Sequence, residues 1–572
     1  MTRNRFIRMF ALAVSFCALV IFLGLLVMRQ SSYGVAESAQ VEMRDGVKLD
    51  TQIYKPANRG KWPTVFMKGY RPQRIDEFVQ AGYVFVSQGA REESTRFFND
   101  GEDGYDTVEW IAKQPWSNGK VAMYGRSYYG MTQWLTARLA PPHLKAIAPQ
   151  NMNPDMYQLV YRNNGALNLA MTAPSRAIIN REAGNQYGWE KAFMFLPLID
   201  LDVEVSGREN DLWNDYVTHS TFDDYWKAIS LQSDDYGKIR IPVLNQGGWY
   251  DYYVGAAFTS YQALREVGAA QDLRVTIGAT NHNGNKVGDR PGLAAGAGNQ
   301  LQEAIRWFDY VLKDPENGLK NKLPIQIFVM GKNEWRGENE WPLARTQFTK
   351  YYFHSSKGDR KGGLNTQPPG DETPSQYTYD PRNPVRSIGG NHSADGRPWH
   401  LDAIPGVNLR AGSYDQSPNQ NREDVLVFST ERLSEDTEVT GPVEVKLYAA
   451  TDRQDTDWIA RLVDIYPDGK AYNLTEGVLR ARFRKSIYAD PKLLEPGQVY
   501  EYSLKLLPTS NVFLQGHKIG VHLTSSNWPL VDRNPNTGSA QGMDAKLRVA
   551  NQTIYHDQVR PSHIVLPIVP TQ

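Results

Sequence analysis

The chain has 572 residues, 41% of them hydrophobic and 22% charged, and its 63 lysines and arginines balance 63 aspartates and glutamates. That length implies several domains. Zero net charge leaves no electrostatic footprint for nucleic acid or for an anionic membrane surface, so the expected partner is a small molecule or peptide.

The N-terminus departs from the soluble profile. Arg3, Arg5 and Arg8 precede an uncharged apolar run from Met9 to Met28, and only Arg29 follows directly. About 20 apolar residues span a bilayer as a helix, and the arginine asymmetry orients such a helix with its C-terminal side outside. Residues 1–40 therefore read as a signal peptide or membrane anchor, with Ala36-Glu37-Ser38 as a small-residue cleavage stretch. On this reading residues 41–572 are exported, to the periplasm or beyond. Any contact with a membrane is confined to the N-terminal segment. The one cysteine, Cys17, lies inside the apolar run, so the exported part has no disulfide, thiolate metal site or cysteine nucleophile.

From residue 41 strands and helices alternate. "PTVFMKG" (63–69) and "YVFVSQG" (83–89) are short apolar runs ending at glycine, as buried parallel strands do. "GYDTVEWIAKQ" (104–114) has helical spacing, "KVAMYG" reads as a strand and "MTQWLTARLA" as the helix after it. Residues 150–238 lose the strand runs and read as a helical cap inserted between the two parts of an α/β domain, 41–149 and 239–355. The alternation resumes with "IPVLNQ" (241–246), "LRVTIGA" (273–279), "LQEAIRWFDYVLK" (301–313) and "LPIQIFVMG" (323–331). Residues 356–422, dense in Gly, Pro, Asn, Asp and Ser, read as a connector. From 423 to 572, alternating segments such as "VEVKLYA" and "KIGVHLTSS" point to an all-β domain.

Phosphate-loop, dinucleotide and His-Glu-x-x-His motifs are absent, and the ten histidines show no metal-ligand spacing on one helix. No metal and no cofactor is expected. What stands out is "KVAMYGRSYYG" (120–130). Ser127 is the only serine with glycine two residues before it, Gly125, and it falls at a strand-to-helix turn. Such a turn strains the backbone at a nucleophile and demands small neighbours. Two residues later, where Gly-x-Ser-x-Gly has glycine, stands Tyr129, and glycine follows at Gly130.

A serine hydroxyl needs a base, and the base a carboxylate. In α/β-hydrolases these follow the serine in the order acid, then histidine. "IPVLNQ" runs into "GGWYD", placing Asp251 beyond a strand end, and "LRVTIGA" runs into "TNHNG", placing His282 in the next loop. The Tyr128 N–H, directly after the serine, is positioned as an oxyanion donor. Tyr70, the next residue after the strand at 63–69, is the candidate second donor.

The stretch 104–134 resembles the nucleophile region of the cocaine esterase and X-Pro dipeptidyl-peptidase group of serine hydrolases, whose pattern is Gly-x-Ser-Tyr-x-Gly. The similarity continues through "GGWYD", "RWFDYVLK", "IFVMGKNEWRGENEWPLART" and the strings from 425 to 458, and ends near 523–538. It implies an α/β-hydrolase fold with a helical cap and a C-terminal jelly roll (galactose-binding-like). It also implies a Ser127–Asp251–His282 triad with Tyr70 and the Tyr128 amide as oxyanion donors. This chain departs from the group's pattern at Gln88-Gly89-Ala90-Arg91-Glu92, where relatives usually have Gln-Asp-Val-Arg-Gly. It departs again at Ala279-Thr280-Asn281, where relatives often carry Pro-Trp before the histidine. Relatives acting on α-amino esters hold the substrate ammonium with carboxylates, some of them two and three residues after the acid; here those positions are Tyr253 and Val254, with Asp155 and Glu182 as possible substitutes from the cap.

The expected function is an exported serine hydrolase cleaving esters or amides of small acyl substrates through an acyl-enzyme. The alternatives are an X-Pro dipeptidyl-peptidase, a β-lactam or glutaryl acylase, and a catalytically silent jelly-roll protein that binds a ligand such as a glycan. Nothing in the sequence fixes the oligomeric state.

Overall fold

The computed structural model describes residues 36–570 except 70–73, 92–96, 163, 175–177, 180, 269–271, 286, 357–358 and 393–403. Tyr70 and the apolar run at 9–28 thus lie outside the described residues. Among the described residues no helix is long and apolar enough to cross a membrane, and no group of three or more His, Cys, Asp or Glu side chains could hold a metal ion.

The first domain is built on a ten-stranded sheet. In chain order its strands are β1 (Ala36–Glu42), β2 (Lys48–Tyr54), β3 (Trp62–Lys68), β4 (Val84–Gln88), β5 (Ser117–Arg126), β6 (Leu144–Gln150), β7 (Val243–Gly248), β8 (Leu273–Gly278), β9 (Ile325–Val329) and β10 (Glu334–Glu338). Their spatial order is β1-β2-β4-β3-β5-β6-β7-β8-β9-β10, parallel from β4 to β9. Antiparallel pairs close both edges. The central strands are buried along nearly their whole length, and they therefore read as unbroken apolar runs. Ala36-Glu37-Ser38, expected to be a cleavage stretch, are the first three residues of β1 and pair with Tyr54, Ile53 and Gln52.

Four helices matter for the site: α1 (Ile75–Gln80), α2 (Asp100–Ala112), α3 (Tyr128–Ala137) and α4 (Val254–Val267). α3 is almost wholly buried, with Met131, Trp134 and Leu135 in the core, and it packs on α2. Residues 156–236 form a series of short helices and one two-residue hairpin. The side chains of Asp155, Asn210 and Asp223 cap three of these helices by accepting from first-turn N–H groups.

The C-terminal domain is a jelly roll whose strands join a 13-stranded sheet. Its core holds Phe353 stacked on Phe428, together with Trp458 and Tyr502. The sheet begins at Gln347–Ser356 and includes Asp359–Asn365 and Ser375–Tyr379, inside the stretch that reads as a connector. The first of these two strands carries the glycine pair Gly362-Gly363, and a Cβ on Gly362 would overlap the Phe428 ring. Close packing there requires glycine, and glycine erases the alternation that marks a strand.

The two domains share buried polar contacts. Leu167 and Asp532 exchange hydrogen bonds, 2.8 Å to the Asp532 carboxylate and 2.9 Å back to the Leu167 carbonyl. Arg480, fully buried, donates its N–H to the Asn164 carbonyl (2.9 Å), and within its own domain its guanidinium joins Asp532 (2.9 Å) to Asp457 (2.8 Å).

Candidate active site

Ser127 stands between β5 and α3 with φ 59° and ψ −121°, in the left-handed half of the map that a side chain rarely adopts. Its N–H donates to the Gln150 carbonyl (2.9 Å), and its own carbonyl accepts from Gly130 (2.8 Å) and Met131 (2.9 Å). Gly125 has φ +141°, and a Cβ there would overlap the Tyr129 Cβ. At Gly130 a Cβ would meet the Met152 Cβ at 3.0 Å and the Gln150 carbonyl at 3.2 Å. The displaced glycine therefore serves the approach of α3 to the end of β6.

Asp251 and His282 are brought together. His282 Nδ1 lies 3.2 Å from each Asp251 carboxylate oxygen, and Asp251 is fully buried. A carboxylate only accepts, so this contact places the proton on Nδ1 and leaves Nε2 as the accepting nitrogen. The Tyr253 ring packs against the imidazole with centroids 5.5 Å apart.

The Asp251 loop follows β7 and the His282 loop follows β8, both at the carboxyl ends of strands beside β5 and β6, where open α/β sheets place their chemistry. Three groups hold the histidine loop, one of them from the acid loop. Tyr250 donates its N–H to the Thr280 carbonyl (3.1 Å). Asn151, just past β6, donates its side-chain amide to the carbonyls of Asn281 (3.2 Å) and His282 (2.8 Å). Arg126, the residue before Ser127, donates to the Asn283 carbonyl (2.7 Å). The histidine loop is thus held although Ala279-Thr280-Asn281 depart from the group's usual Pro-Trp.

The jelly roll braces the acid loop from outside. Asn391 donates to the Trp249 carbonyl, and Trp249 donates its indole N–H to Phe328 O (2.7 Å).

Tyr128 opens α3, so its N–H is among the first-turn donors without an intrahelical acceptor. Its hydroxyl donates to both oxygens of Asp100, at 2.9 and 2.8 Å. Behind it lies a buried charge cluster. Lys68, at the end of β3, faces Asp100 (3.8 Å) and Asp103 (3.4 Å), and Arg91 clasps Asp103 (2.6 Å). Burial pulls the Lys68 ammonium below its usual pKa, against the opposing pull of the two carboxylates. Arg91 belongs to the 88–92 stretch that departs from the group's pattern, and its guanidinium also reaches Asp45 (2.6 Å).

Of the candidates read from strand ends, the structure pairs Asp251 with His282 and sets Ser127 and Tyr128 at the β5–α3 turn. Sequence reasoning missed Asn151, Arg126, Lys68 and Asp100, whose partners lie far away in the chain and leave no local signal.

Fold and site geometry together define an α/β-hydrolase with a cap and a β-rich second domain. Residues 45–284 match the X-Pro dipeptidyl-peptidase (S15 family), and residues 317–565 match the X-Pro dipeptidyl-peptidase C-terminal non-catalytic domain. The chain is 34% identical to the cocaine esterase of Rhodococcus sp. (strain MB1 Bresler), over 95% of this chain and 100% of that one. Among solved structures, an α-amino acid ester hydrolase matches with TM-score 0.78 at 23% identity, over 94% of this chain and 97% of that one. An aminopeptidase from a marine sediment archaeon, Thaumarchaeota archaeon, matches with TM-score 0.78 at 24% identity and the same coverage. The chain belongs to the cocaine esterase and X-Pro dipeptidyl-peptidase family of serine hydrolases, and it is a hydrolase.

Proposed function

We propose that this protein cleaves ester or amide bonds of small, neutral acyl substrates through an acyl-enzyme on Ser127. The observation that carries the reading is the buried Asp251 carboxylate with both oxygens 3.2 Å from His282 Nδ1, together with Ser127 held at φ 59° at the β5–α3 turn. His282 Nε2 takes the Ser127 proton as Oγ attacks the acyl carbon, and Asp251 stabilises the imidazolium so formed. The oxyanion is met by the Tyr128 N–H and the Tyr70 hydroxyl. His282 then protonates the departing alcohol or amine. Water, deprotonated in turn by His282, releases the acid.

The preference for neutral acyl groups rests on Tyr253 and Val254, both buried and uncharged, two and three residues after the acid. The cap carboxylates offer no obvious replacement. Asp155 accepts from the N–H groups of Tyr157 and Gln158 and from Ser230, and Glu182 is exposed. An ammonium buried without an anion costs several kcal/mol, and an aromatic face returns only about 0.5–2 kcal/mol. Comparing kcat/KM for a phenylacetyl ester and the matching phenylglycyl ester tests this, with the phenylacetyl ester expected to be faster. A tenfold preference for the amino ester would reject the neutral-acyl reading in favour of a peptidase-like or amino-ester specificity.

The reading includes export, supported by Arg3, Arg5 and Arg8 ahead of the Met9–Met28 run. A C-terminal reporter should be active only outside the cytoplasmic membrane; activity confined to the cytoplasm contradicts it.

A further inference from the structure

A second cavity, of about 350 Å³, lies between α4 and the jelly roll, and none of Ser127, Asp251 or His282 lines it. Its volume falls within the roughly 300–1,000 Å³ usual for small-ligand sites. The apolar part is well formed. Phe258 and Trp341 stack in its wall with ring centroids 3.9 Å apart and planes 14° from parallel, and Leu507 and Pro508 face them from the second domain. Phe348, 54% exposed, stands at the mouth. An aromatic side chain left this open at the edge of an apolar hollow adds surface for a ligand to cover.

The charged lining is asymmetric. Glu444 is already satisfied, since it pairs with Lys446 (3.0 Å) and accepts from Ser503. Lys505 is exposed and makes no ion pair among the described residues. Lys505, opposite Glu444 across a strand pair, is thus the lining cation left for a ligand anion. On the side nearest the catalytic centre the wall is Tyr252, the residue after Asp251, whose hydroxyl donates to the Gln158 carbonyl (2.7 Å).

We infer that this cavity is a second ligand site, separate from the hydrolytic centre, for an apolar monocarboxylate the size of one aromatic ring or two fused rings. The rings lie against Phe258 and Trp341, and the carboxylate meets Lys505. Resting on the reading above, that class includes the acid an acyl esterase releases, but the binding itself requires no catalysis.

The test is calorimetric titration of the full chain with 1-naphthoate and, in parallel, with the uncharged 1-naphthalenemethanol. Saturable binding of both is expected, with naphthoate favoured about threefold to fivefold, the share a solvent-exposed lysine supplies. Lys505→Glu should abolish that preference while leaving the alcohol bound. Thr259→Trp, which replaces an exposed lining residue of α4 with an indole filling the space, should weaken both ligands at least tenfold. Neither residue belongs to the hydrolytic centre, so ester hydrolysis by both variants serves as the folding control. The inference is overturned if no saturable binding occurs, if binding survives Thr259→Trp unchanged, or if naphthoate and the alcohol bind equally to the unaltered protein. Because hydrolysis is read separately, a failure here is distinguishable from a failure of the proposed function.

Discussion

Asn151 holds the loop that carries His282. It sits at φ 49°, almost fully buried, and spends its amide on the carbonyls of Asn281 and His282. Removing the amide takes the donor from the His282 carbonyl, at about 1–3 kcal/mol for a buried polar group left unsatisfied, while the Asn281 carbonyl keeps the Gly284 N–H (3.0 Å). Asn151→Ala should lower kcat by about tenfold or more, with a smaller change in KM, because the imidazole loses its register with Ser127. Steady-state kinetics beside a thermal melt checks this. Loss of stability with kcat unchanged would make Asn151 purely structural.

At the scale of elements, the site residues were legible wherever one strand end determined them. β5 and α3 follow from an apolar run, a glycine and a helix-forming run, so Ser127 could be placed at a strand-to-helix turn from residues 120–140. Asp251 and His282 were found in the same way, from β7 and β8. The Lys68–Asp100–Asp103–Arg91 cluster was not legible, because its members sit on β3, on α2 and after β4 and meet only when the sheet is assembled. The strands at 359–365 and 375–379 escaped for a different reason. Gly362 in the first packs against the Phe428 ring, and the strands that pair with the two come from 426–429 and 550–555, far along the chain. Asn391, which joins the same region to the acid loop, was hidden with them.

At the scale of the whole molecule, the jelly roll carries a titratable group that links stability to pH. His522 lies in the strand Lys518–Thr524, is 2% exposed, and has Nε2 2.9 Å from the Gln420 side-chain amide nitrogen. Burial first, and the neighbouring Arg461 guanidinium second, push its pKa from 6.5 down to about 3. The folded protein therefore keeps His522 neutral while the unfolded chain takes up a proton below pH 6.5. Stability from this group is fully present above pH 6.5 and is lost as pH falls toward 3, by about 1.4 kcal/mol per pH unit. His522→Gln removes the titration, so the fall in melting temperature between pH 7 and pH 4.5 should be several degrees smaller than in the unaltered protein. Equal slopes in the two proteins would mean that His522 does not resist protonation in the folded state.

The central claim is that Ser127 is the nucleophile of a hydrolase whose base is His282, and covalent labelling tests it most directly. The protein is treated with a fluorophosphonate, ester hydrolysis is followed, and the modified residue is located by mass spectrometry of the digested chain. One adduct per chain is expected, on Ser127, formed in step with loss of activity, absent from Ser127→Ala and strongly slowed in His282→Ala. Activity lost without an adduct on Ser127, or full hydrolysis retained after Ser127 is modified, would contradict it.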